Sequence, residues 1–263
     1  MAMTEADGRK HHIGVKAGEV GRYALLPGDP DRVERIAKRF DHPRFVAQRR
    51  EYVTWSGELD GVTVSCTSTG IGCPSAAIAV EELVDIGVDT FIRVGTSGSM
   101  QPQIKPGSIG VISGAIRDEG TSRHYLPMEF PAVADLDVTI ALREAAQSSG
   151  FPSYVGVAQS KDSFYGQHAP ERMPIADDLK RRWTAWMAGG AICSEMEAAT
   201  LYIVAATLGV RAGGTMLILG NPEQRPMTAA EEAACDINRV IDVGVDGLRR
   251  LIAADRASGR LAR

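Results

Sequence analysis

The sequence contains few cysteines, and their spacing fits neither a metal site nor a disulfide scaffold. The 263 residues include four, at Cys66, Cys73, Cys193 and Cys235, without a CxxC pair or histidines clustered beside them. Zinc sites and disulfide-rich secreted domains depend on such spacings. We therefore expect reduced thiols in a cytoplasmic protein.

Long apolar runs and an excess of basic charge are also missing. No stretch approaches the roughly 18 consecutive apolar residues that a membrane-spanning helix needs, and the polar start, MAMTEADGRKHH, lacks the apolar core of a signal peptide. The net charge is −4, which argues against a broad electrostatic grip on nucleic acid or on an anionic membrane. We predict no nucleic-acid partner and no membrane partner, so any anion site must be local.

What the sequence does contain is a regular alternation of short apolar, β-branched runs with amphipathic stretches. This alternation is typical of a buried, mainly parallel sheet. The candidate strands are 23–26, 62–67, 90–94, 109–112, 154–157 and 215–219. We predict a single α/β domain over residues 1–263. It should have three layers, α/β/α, in which helices flank a central mixed, mainly parallel twisted sheet. The ends, 1–10 and 253–263, are expected to fray.

Apolar spacings of three and four predict two helices that pack on this sheet. One includes residues 76–84 and begins near Pro74, because proline suits the first helical position; the other covers 234–251. Between residues 164 and 180 the apolar periodicity is weak, and Gly166, Pro170 and Pro174 interrupt it. We predict a long loop there, of the kind that is usually functional or disordered.

The first candidate anion site is the turn PGDPDR, residues 27–32, which follows the strand 23–26. Backbone amides in such a turn, at the start of a helix, can bind an anion beyond the strand. Arg32 adds a planar cation that suits phosphate. The alternative is an ordinary connection with a solvated arginine, since glycine and proline are common turn formers.

The second candidate is RVGTSG, residues 93–98. Arg93 lies in a strand that the pattern predicts to be buried, where an unpaired guanidinium would be costly, so it needs an anionic partner. We predict that Gly95 to Gly98 form a turn with hydroxyl and amide donors at the carboxyl end of the strand, where ligands bind in open α/β sheets. The alternative is that Arg93 pairs with an internal carboxylate.

Two further segments narrow the type of ligand. The glycine turn TGIGCPS, residues 69–75, departs from the dinucleotide fingerprint because Ser75 stands where the third glycine belongs, and no GxxxxGK[ST] motif occurs. In SEMEAATL, residues 194–201, Glu195 and Glu197 precede an apolar helix. A carboxylate there can accept two hydrogen bonds from a vicinal diol, although acids at a helix start also simply favour the helix dipole.

Together, these motifs resemble the nucleoside phosphorylase family of the purine nucleoside and uridine phosphorylase type. PGDPDR and RVGTSG resemble its two phosphate-binding elements, and EMEAATL resembles its ribose-binding element. The resemblance extends from about His12 to the C-terminal helix. Three more stretches, QRREY (48–52), EFPAVAD (129–135) and KDSFYGQ (161–167), are similar to its uridine-cleaving branch. The resemblance implies a pentosyltransferase of pyrimidine nucleoside salvage that cleaves uridine with inorganic phosphate to uracil and ribose 1-phosphate, without a cofactor.

The resemblance also implies roles for individual residues. Those implied for phosphate are Gly28, Arg32, Arg93 and Thr96, with Arg50 from a neighbouring subunit. Those implied for ribose are Glu195, Met196 and Glu197, with His12 from the partner. Those implied for the base are Ser97, Phe164, Gln167 and Arg172. Catalysis is expected from Glu197, Arg93 and Arg32. Glu51, Ile71 and Ser75 match positions that can hold a monovalent cation, K⁺, between subunits; the alternative for Glu51 is pairing with Arg49 or Arg50.

By the same resemblance we expect a dimer as the minimal unit and a hexamer assembled from dimers. The chain departs from the family pattern at Asn221, which is followed by Pro222 rather than arginine, so Arg225 is an alternative to Arg172 for the base site. Gly220 and Asn221 stand where purine-specific members carry an aspartate, which disfavours purines. The rival hypotheses are a phosphorylase for purine or deoxyribose nucleosides, a nucleosidase of the same fold, and a non-catalytic module that binds an anionic sugar or nucleotide.

Overall fold

A ten-stranded mixed sheet forms the centre of the protein in the computed structural model, which describes residues 2–223 and 225–262. The strands are β1 (Tyr23–Leu26), β2 (Asp41–Arg49), β3 (Tyr52–Leu59), β4 (Val62–Thr67), β5 (Thr90–Ser99), β6 (Ile109–Asp118), β7 (Ala132–Val133), β8 (Ser153–Lys161), β9 (Cys193–Glu195) and β10 (Arg211–Gly220). The helices are α1 (Asp31–Ala37), α2 (Cys73–Val84), α3 (Leu136–Ser148), α4 (Phe164–His168), α5 (Ala176–Ala188), α6 (Ala198–Leu208), α7 (Ala229–Ala234) and α8 (Asn238–Ala257). Single 3-10 turns lie at Ser122–His124, Pro170–Arg172 and Arg260–Ala262.

The strand order places the parallel strands β1, β5 and β10 side by side. The order is β10-β6-β8-β9-β5-β1-β4-β3-β2, and β10 also pairs with β5, so β5, β10, β6, β8 and β9 close on themselves. Strand β1 is parallel to β4 and β5, and β5 is parallel to β10. Antiparallel pairs, such as β2 with β3 and β10 with β6, make the sheet mixed. In register, Arg93 of β5 lies opposite Leu26, the last residue of β1, and opposite Gly214 of β10.

Helices cover both faces of the sheet, as the apolar pattern predicts. Successive residues of a strand point to opposite faces. In β1, Ala24 and Leu26 therefore join a buried cluster with residues of α2 and α6, whereas Tyr23 and Leu25 join a second cluster with α1, α3 and α8. Burying each large apolar side chain in these clusters stabilises the fold by roughly 1.5–3 kcal/mol. The predicted α/β/α layering and the helices near Pro74 and at the C-terminus are confirmed.

Two predicted irregular segments are wrong. The segment Gly95 to Gly98 is not a turn, because β5 continues to Ser99 and pairs there with β9 and β10. Glycine in this stretch allows close packing: a Cβ at Gly95 would approach Met216 Sδ to 2.6 Å. The strand is therefore maintained by its neighbours, which its local sequence does not reveal.

The second error concerns residues 164–180, where we predict a loop and the structure contains α4, a 3-10 turn and the start of α5. The Ser163 side chain caps α4 by accepting a hydrogen bond from Gly166 N at 3.0 Å, and Pro170 begins the 3-10 turn. Helix α5 has no fully buried residue. The first five residues of α5, ADDLK, fall within the predicted loop, and they are mostly charged and give no apolar signal.

Both ends of the described chain make specific contacts, although the sequence predicts fraying there. Thr4 pairs with Lys10, and the buried Lys10 Nζ lies 2.5 Å from Asp85 Oδ2. At the other end, α8 continues to Ala257, and Asp255 is buried against Arg211. These contacts are polar, so apolar periodicity gives no sign of them. Among the described residues, no helix is long and apolar enough to cross a membrane.

Candidate active site

A buried arginine lies in β5 beside the carboxyl end of β1. Arg93 is 5% exposed, and its strand neighbours are Leu26 and Gly214. A Cβ at Gly214 would lie 3.3 Å from Arg93 Cβ, so the glycine gives the arginine room. The carboxyl ends of parallel strands are the usual ligand-binding edge of an α/β sheet.

Arg93 pairs with two carboxylates and still has a donor left over. Its Nε donates to Glu195 Oε2 at 3.0 Å, and Nη2 forms an ion pair with Glu197 Oε2. The third nitrogen, Nη1, is buried and has no hydrogen-bond partner among the described residues. The pairing with internal carboxylates that we considered as the alternative therefore occurs, but one buried donor remains unpaired.

Glu195 anchors this arrangement. Its Oε1 accepts hydrogen bonds from Ser160 Oγ and from Ala198 N, and its Oε2 accepts from Glu197 N at 2.9 Å in addition to Arg93. The carboxylate thus fixes both the arginine and the start of α6. Since both oxygens are occupied, the expected ribose contact of Glu195 is not supported; the sequence could not show which of the two acids serves the helix.

Glu197 immediately precedes α6 and faces the same arginine. Its Oε1 accepts a hydrogen bond from Gly72 N at 2.6 Å, and burial raises the pKa of Glu197 while Arg93 opposes the rise. Gly72 has φ 99°, which glycine adopts readily and other residues do not. Gly72, to which sequence reasoning assigned no role, therefore holds the carboxylate. Beside it, Cys73 Sγ donates to the Met196 carbonyl at 3.1 Å.

Arg32 approaches Arg93 from the first turn of α1. Burial lowers the pKa of Arg32; Asp29, 3.6 Å away, opposes this effect and the positive charge of Arg93 adds to it. Arg32 and Thr96 line a cavity of about 240 Å³ together with Asp29. Gly28 lies in the turn before α1, where a Cβ would approach the Gly70 carbonyl to 3.2 Å. The structure thus brings two of the predicted phosphate residues, Arg32 and Thr96, to one cavity and places Arg93 close to Arg32.

A second, larger cavity of about 690 Å³ contains the predicted base residue Gln167. Its wall also includes Gln159 and Lys161, to which sequence reasoning assigned no role. Gln167 Oε1 accepts a hydrogen bond from Ser194 Oγ at 2.8 Å. A serine just before the EMEAATL run gave no sign that it would contact a residue of α4.

The other predicted base residues lie elsewhere. Ser97 is buried on β5, and its hydroxyl has no partner among the described residues. Phe164 is about half exposed and stacks on His168, with ring centroids 4.2 Å apart. Arg172 is exposed and lies over the Tyr165 ring at 5.8 Å. The side chains of Phe164 and Arg172 do not line the large cavity.

Comparison with known proteins agrees with this geometry. The model of the Phosphorylase superfamily matches residues 22–245, a range that includes all three motifs. The chain belongs to this superfamily. It is 48% identical to the uridine phosphorylase of Treponema pallidum over 246 residues, 94% of this chain and 95% of that protein. It is 42% identical to the uridine phosphorylase of Escherichia coli, covering 92% and 97%. It is also 42% identical to the guanosine phosphorylase of Halorubrum lacusprofundi, covering 81% and 84%.

In this superfamily member, the residues expected from a partner subunit lie apart from Arg93. Arg50 is exposed at the turn between β2 and β3, with φ 56°. His12 is held by Glu82, whose Oε1 lies 2.6 Å from His12 Nδ1. Within one chain, no described contact joins either residue to Arg93 or Glu197.

The predicted cation residues cluster at the turn before α2. A Cβ at Gly70 would meet the Glu51 side chain at 2.7 Å and Ser75 Oγ at 3.4 Å, and Ser75 Oγ donates to the Ile71 carbonyl at 3.4 Å. In the described part of the chain Arg49 pairs with Glu5, not with Glu51.

Arg225, the alternative for the base site, lies 2.7 Å from Glu231 at the start of α7. Its guanidinium also donates to the Pro226 carbonyl at 3.0 Å. The structure therefore shows Arg225 in local contacts beside α7.

Proposed function

We propose that this member of the Phosphorylase superfamily cleaves uridine with inorganic phosphate, releasing uracil and forming ribose 1-phosphate. The observation that carries the proposal is the buried Arg93, which pairs with Glu197 and keeps Nη1 unpaired near Arg32. An unpaired buried donor needs a partner, and a phosphate oxygen would supply one. The uridine phosphorylases among the relatives support the choice of substrate.

Phosphate is the nucleophile in this mechanism. Arg93, Arg32, Thr96 and the amide of Gly28 would hold the dianion with charge-assisted hydrogen bonds, and orienting a nucleophile is a large part of such catalysis. A phosphate oxygen attacks C1′ as the bond from C1′ to N1 breaks, with inversion through an oxocarbenium-like state. The electron pair of the broken bond stays with the base.

The sugar would bind between phosphate and α6. Glu197, held by Gly72 and Arg93, would accept hydrogen bonds from the ribose hydroxyls, with Met196 beside it. The negative charges of phosphate and of Glu197 favour the positive charge that develops on the sugar. The base would occupy the larger cavity against Gln167.

A second subunit would complete the site. We propose that Arg50 of a neighbouring subunit joins the phosphate and that its His12 meets the ribose 5′-hydroxyl, in a dimer that assembles into a hexamer. Light scattering coupled to size-exclusion chromatography tests the assembly. A monomer that is fully active at assay concentration would contradict this part of the proposal.

A monovalent cation between subunits is the second part of this assembly proposal. Glu51, Ser75 and the Ile71 carbonyl would bind K⁺, since carboxylate, hydroxyl and carbonyl oxygens are suitable ligands for hard cations. Replacing K⁺ by tetramethylammonium should then lower activity or shift the assembly. We also infer a cytoplasmic location, which fits the free cysteines.

The dependence on phosphate is the decisive experiment. With uridine as substrate, uracil should appear only when phosphate is present, together with an equal amount of ribose 1-phosphate. Uracil release at the same rate without phosphate would show hydrolysis and would overturn the mechanism. Phosphate binding without cleavage of any nucleoside would indicate a binding module instead.

A purine substrate is the second candidate, because a relative of comparable identity is a guanosine phosphorylase. Gly220 and Asn221, at the end of β10, stand where the resemblance places an aspartate in purine-specific members, which favours the pyrimidine. A panel of uridine, thymidine, deoxyuridine, inosine and guanosine, each assayed with phosphate, separates the two. Preference for inosine or guanosine over uridine would overturn our choice of substrate.

A further inference from the structure

A buried lysine on the wall of the larger cavity has no role in the mechanism above. Lys161, the last residue of β8, is 6% exposed. Its Nζ donates a hydrogen bond to Ser194 Oγ at 2.7 Å, and no carboxylate of the described residues forms an ion pair with it. Burying an ammonium group without such a partner is costly, so a purely structural reason for this lysine is weak.

Ser194 connects Lys161 to the predicted base residue. Its Oγ lies 2.7 Å from Gln159 Oε1 and 2.8 Å from Gln167 Oε1. An ammonium group can only donate, and a hydroxyl has a single proton. Lys161 therefore leaves the single Ser194 proton for the glutamine oxygens, and Gln159 Oε1 and Gln167 Oε1 compete for it. The Gln159 amide is fixed from its other end, where Nε2 donates to Asp118 Oδ2 at 2.7 Å.

When Ser194 donates its proton to Gln167, the orientation of the Gln167 amide depends on Lys161. With its oxygen held by Ser194, the Gln167 amide keeps its NH₂ group for the cavity. An NH₂ group donates hydrogen bonds to carbonyl oxygens, which are the groups on a pyrimidine where negative charge accumulates. The serine thus acts as a relay between the lysine and the glutamine.

The electrostatic surroundings leave the charge of Lys161 available to a ligand. Burial lowers the pKa of Lys161 to about 8, while Glu195, Glu197, Cys193 and Asp118 oppose the shift. The lysine is thus mostly protonated at neutral pH. Arg182 on the same wall is already paired with Asp118, so it is a weaker candidate for the same task.

Phosphorolysis creates an anion that needs such a charge. The new bond forms between a phosphate oxygen and C1′, and the pair of electrons from the C1′–N1 bond leaves with the base. The negative charge spreads over N1 and the carbonyl oxygens until the base takes a proton from water. A fixed positive charge beside the base stabilises a developing anion.

We propose that Lys161 is the cation of the base site: it orients Gln167 through Ser194 and favours the pyrimidine anion as it leaves. The proposal rests on the phosphorolysis proposed above. It assigns to Lys161 the task that the sequence resemblance gave to Arg172, which the structure places against Tyr165 at the surface.

The dependence on the leaving group tests the charge. Lys161→Met should lower kcat for uridine roughly 100-fold, with the KM for phosphate unchanged. The loss should be smaller, on the order of 10-fold, for 5-fluorouridine, because fluorine withdraws electrons and its base anion needs less stabilisation. Equal losses for both nucleosides would overturn the proposal. Lys38→Met, at an exposed lysine that follows α1 and pairs with Glu34, is the control and should match the wild type.

A second variant tests the relay and does not depend on the folding of the first. Ser194→Ala keeps the charge of Lys161 and removes its link to Gln167. The variant should therefore raise the KM for uridine and the KM for 5-fluorouridine by the same factor. An unchanged KM would remove the relay from the proposal. Lys161→Met should also melt at a higher temperature than the wild type, because a costly buried charge is gone. A lower melting temperature would instead show a structural lysine.

The wild-type assay separates this inference from the proposed function. If the wild type cleaves no pyrimidine nucleoside, the proposed function fails before Lys161 is examined. If the wild type cleaves uridine, and Lys161→Met lowers kcat by the same factor for uridine and 5-fluorouridine, only the role of Lys161 fails.

Discussion

Arg93 and Arg211 are both buried arginines on the central parallel strands, yet they are arranged differently. Arg211 is 7% exposed and begins β10, opposite Thr90, the first residue of β5. Its Nη1 and Nη2 donate to the two oxygens of Asp255 at 3.0 and 2.5 Å, and its Nε and Nη2 donate to Thr90 Oγ1. Tyr23 also donates to Asp255 at 2.7 Å. This fully paired arginine fixes α8 to the amino-terminal ends of the strands.

Arg93, further along β5, has an unpaired nitrogen and faces two carboxylates, of which Glu197 is buried at a cost. The pKa values reflect the difference. Burial raises the pKa of Glu197; burial also acts to raise the pKa of Asp255, but its hydrogen bonds from Arg211 and Tyr23 outweigh this effect and lower it. Burial alone therefore does not identify a functional arginine. The two arginines differ in that Arg93 retains an unpaired donor, Nη1.

The largest expected effect on turnover comes from neutralising Glu197, the carboxylate that pairs with Arg93. Glu197→Gln should lower kcat roughly 1,000-fold, since it removes a charge that favours the transition state, while phosphate binding measured by calorimetry survives. The melting temperature should not fall, because the raised pKa means that the fold disfavours the charged form. Unaltered turnover would remove Glu197 from the mechanism.

Neutralising Asp255, the carboxylate that pairs with Arg211, should instead lower stability and leave turnover unchanged. Asp255→Asn should reduce the free energy of unfolding by about 3 kcal/mol, because it leaves Arg211 buried without a counter-charge. Turnover at a temperature where the variant is folded should equal that of the wild type. Denaturant titration and the uridine assay on one preparation would measure both. If activity were lost while stability was kept, the distinction between the two arginines would be wrong.

A smaller effect is expected on the phosphate side. Arg32→Met should raise the KM for phosphate roughly 10-fold or more, the value of a lost hydrogen bond to a charged group. Arg39→Met is the matched control, because Arg39 lies just after α1 and pairs with Asp242 on the surface. If the KM for phosphate rose equally in Arg32→Met and Arg39→Met, the cause would be a general charge effect rather than a phosphate contact.

The smallest effect is a pH dependence of stability. The pKa of Asp255 lies below its ordinary value of 3.8, so its contribution is present above that pH and is lost as the pH falls through the lower, folded-state value. The difference in unfolding free energy between the wild type and Asp255→Asn should therefore shrink below about pH 4. A difference that stays constant down to pH 2 would contradict the assigned cause.

Local sequence patterns were sufficient to predict the bounds of a strand where its own apolar residues stabilise it. Strands β1 and β4 have the predicted bounds, because apolar runs there end at turn residues. They were insufficient at 95–98, where small residues continue β5 only because β9 and β10 lie beside them. They also failed for α5, which buries no residue completely.

The candidate site shows the same division. The motifs predicted Arg32, Arg93 and Glu197, because their residue types suit phosphate and a diol, and the family resemblance predicted Gln167. They did not identify Gly72 or Lys161. A backbone amide has no side-chain signature, and a lysine next to an aspartate reads as a surface charge.

The sequence by itself thus determined the family, the alternation of strands and helices, and the side chains available for chemistry, because short-range periodicity and motif spacing encode these. Only the tertiary structure decided how the buried charges are paired. Arg93 and Glu195 are 102 residues apart, Gly72 and Glu197 are 125 apart, and Arg211 and Asp255 are 44 apart. Such partners meet only when the strands and helices pack, so no local pattern distinguishes the arginine that fixes a helix from the one that retains a donor for a ligand.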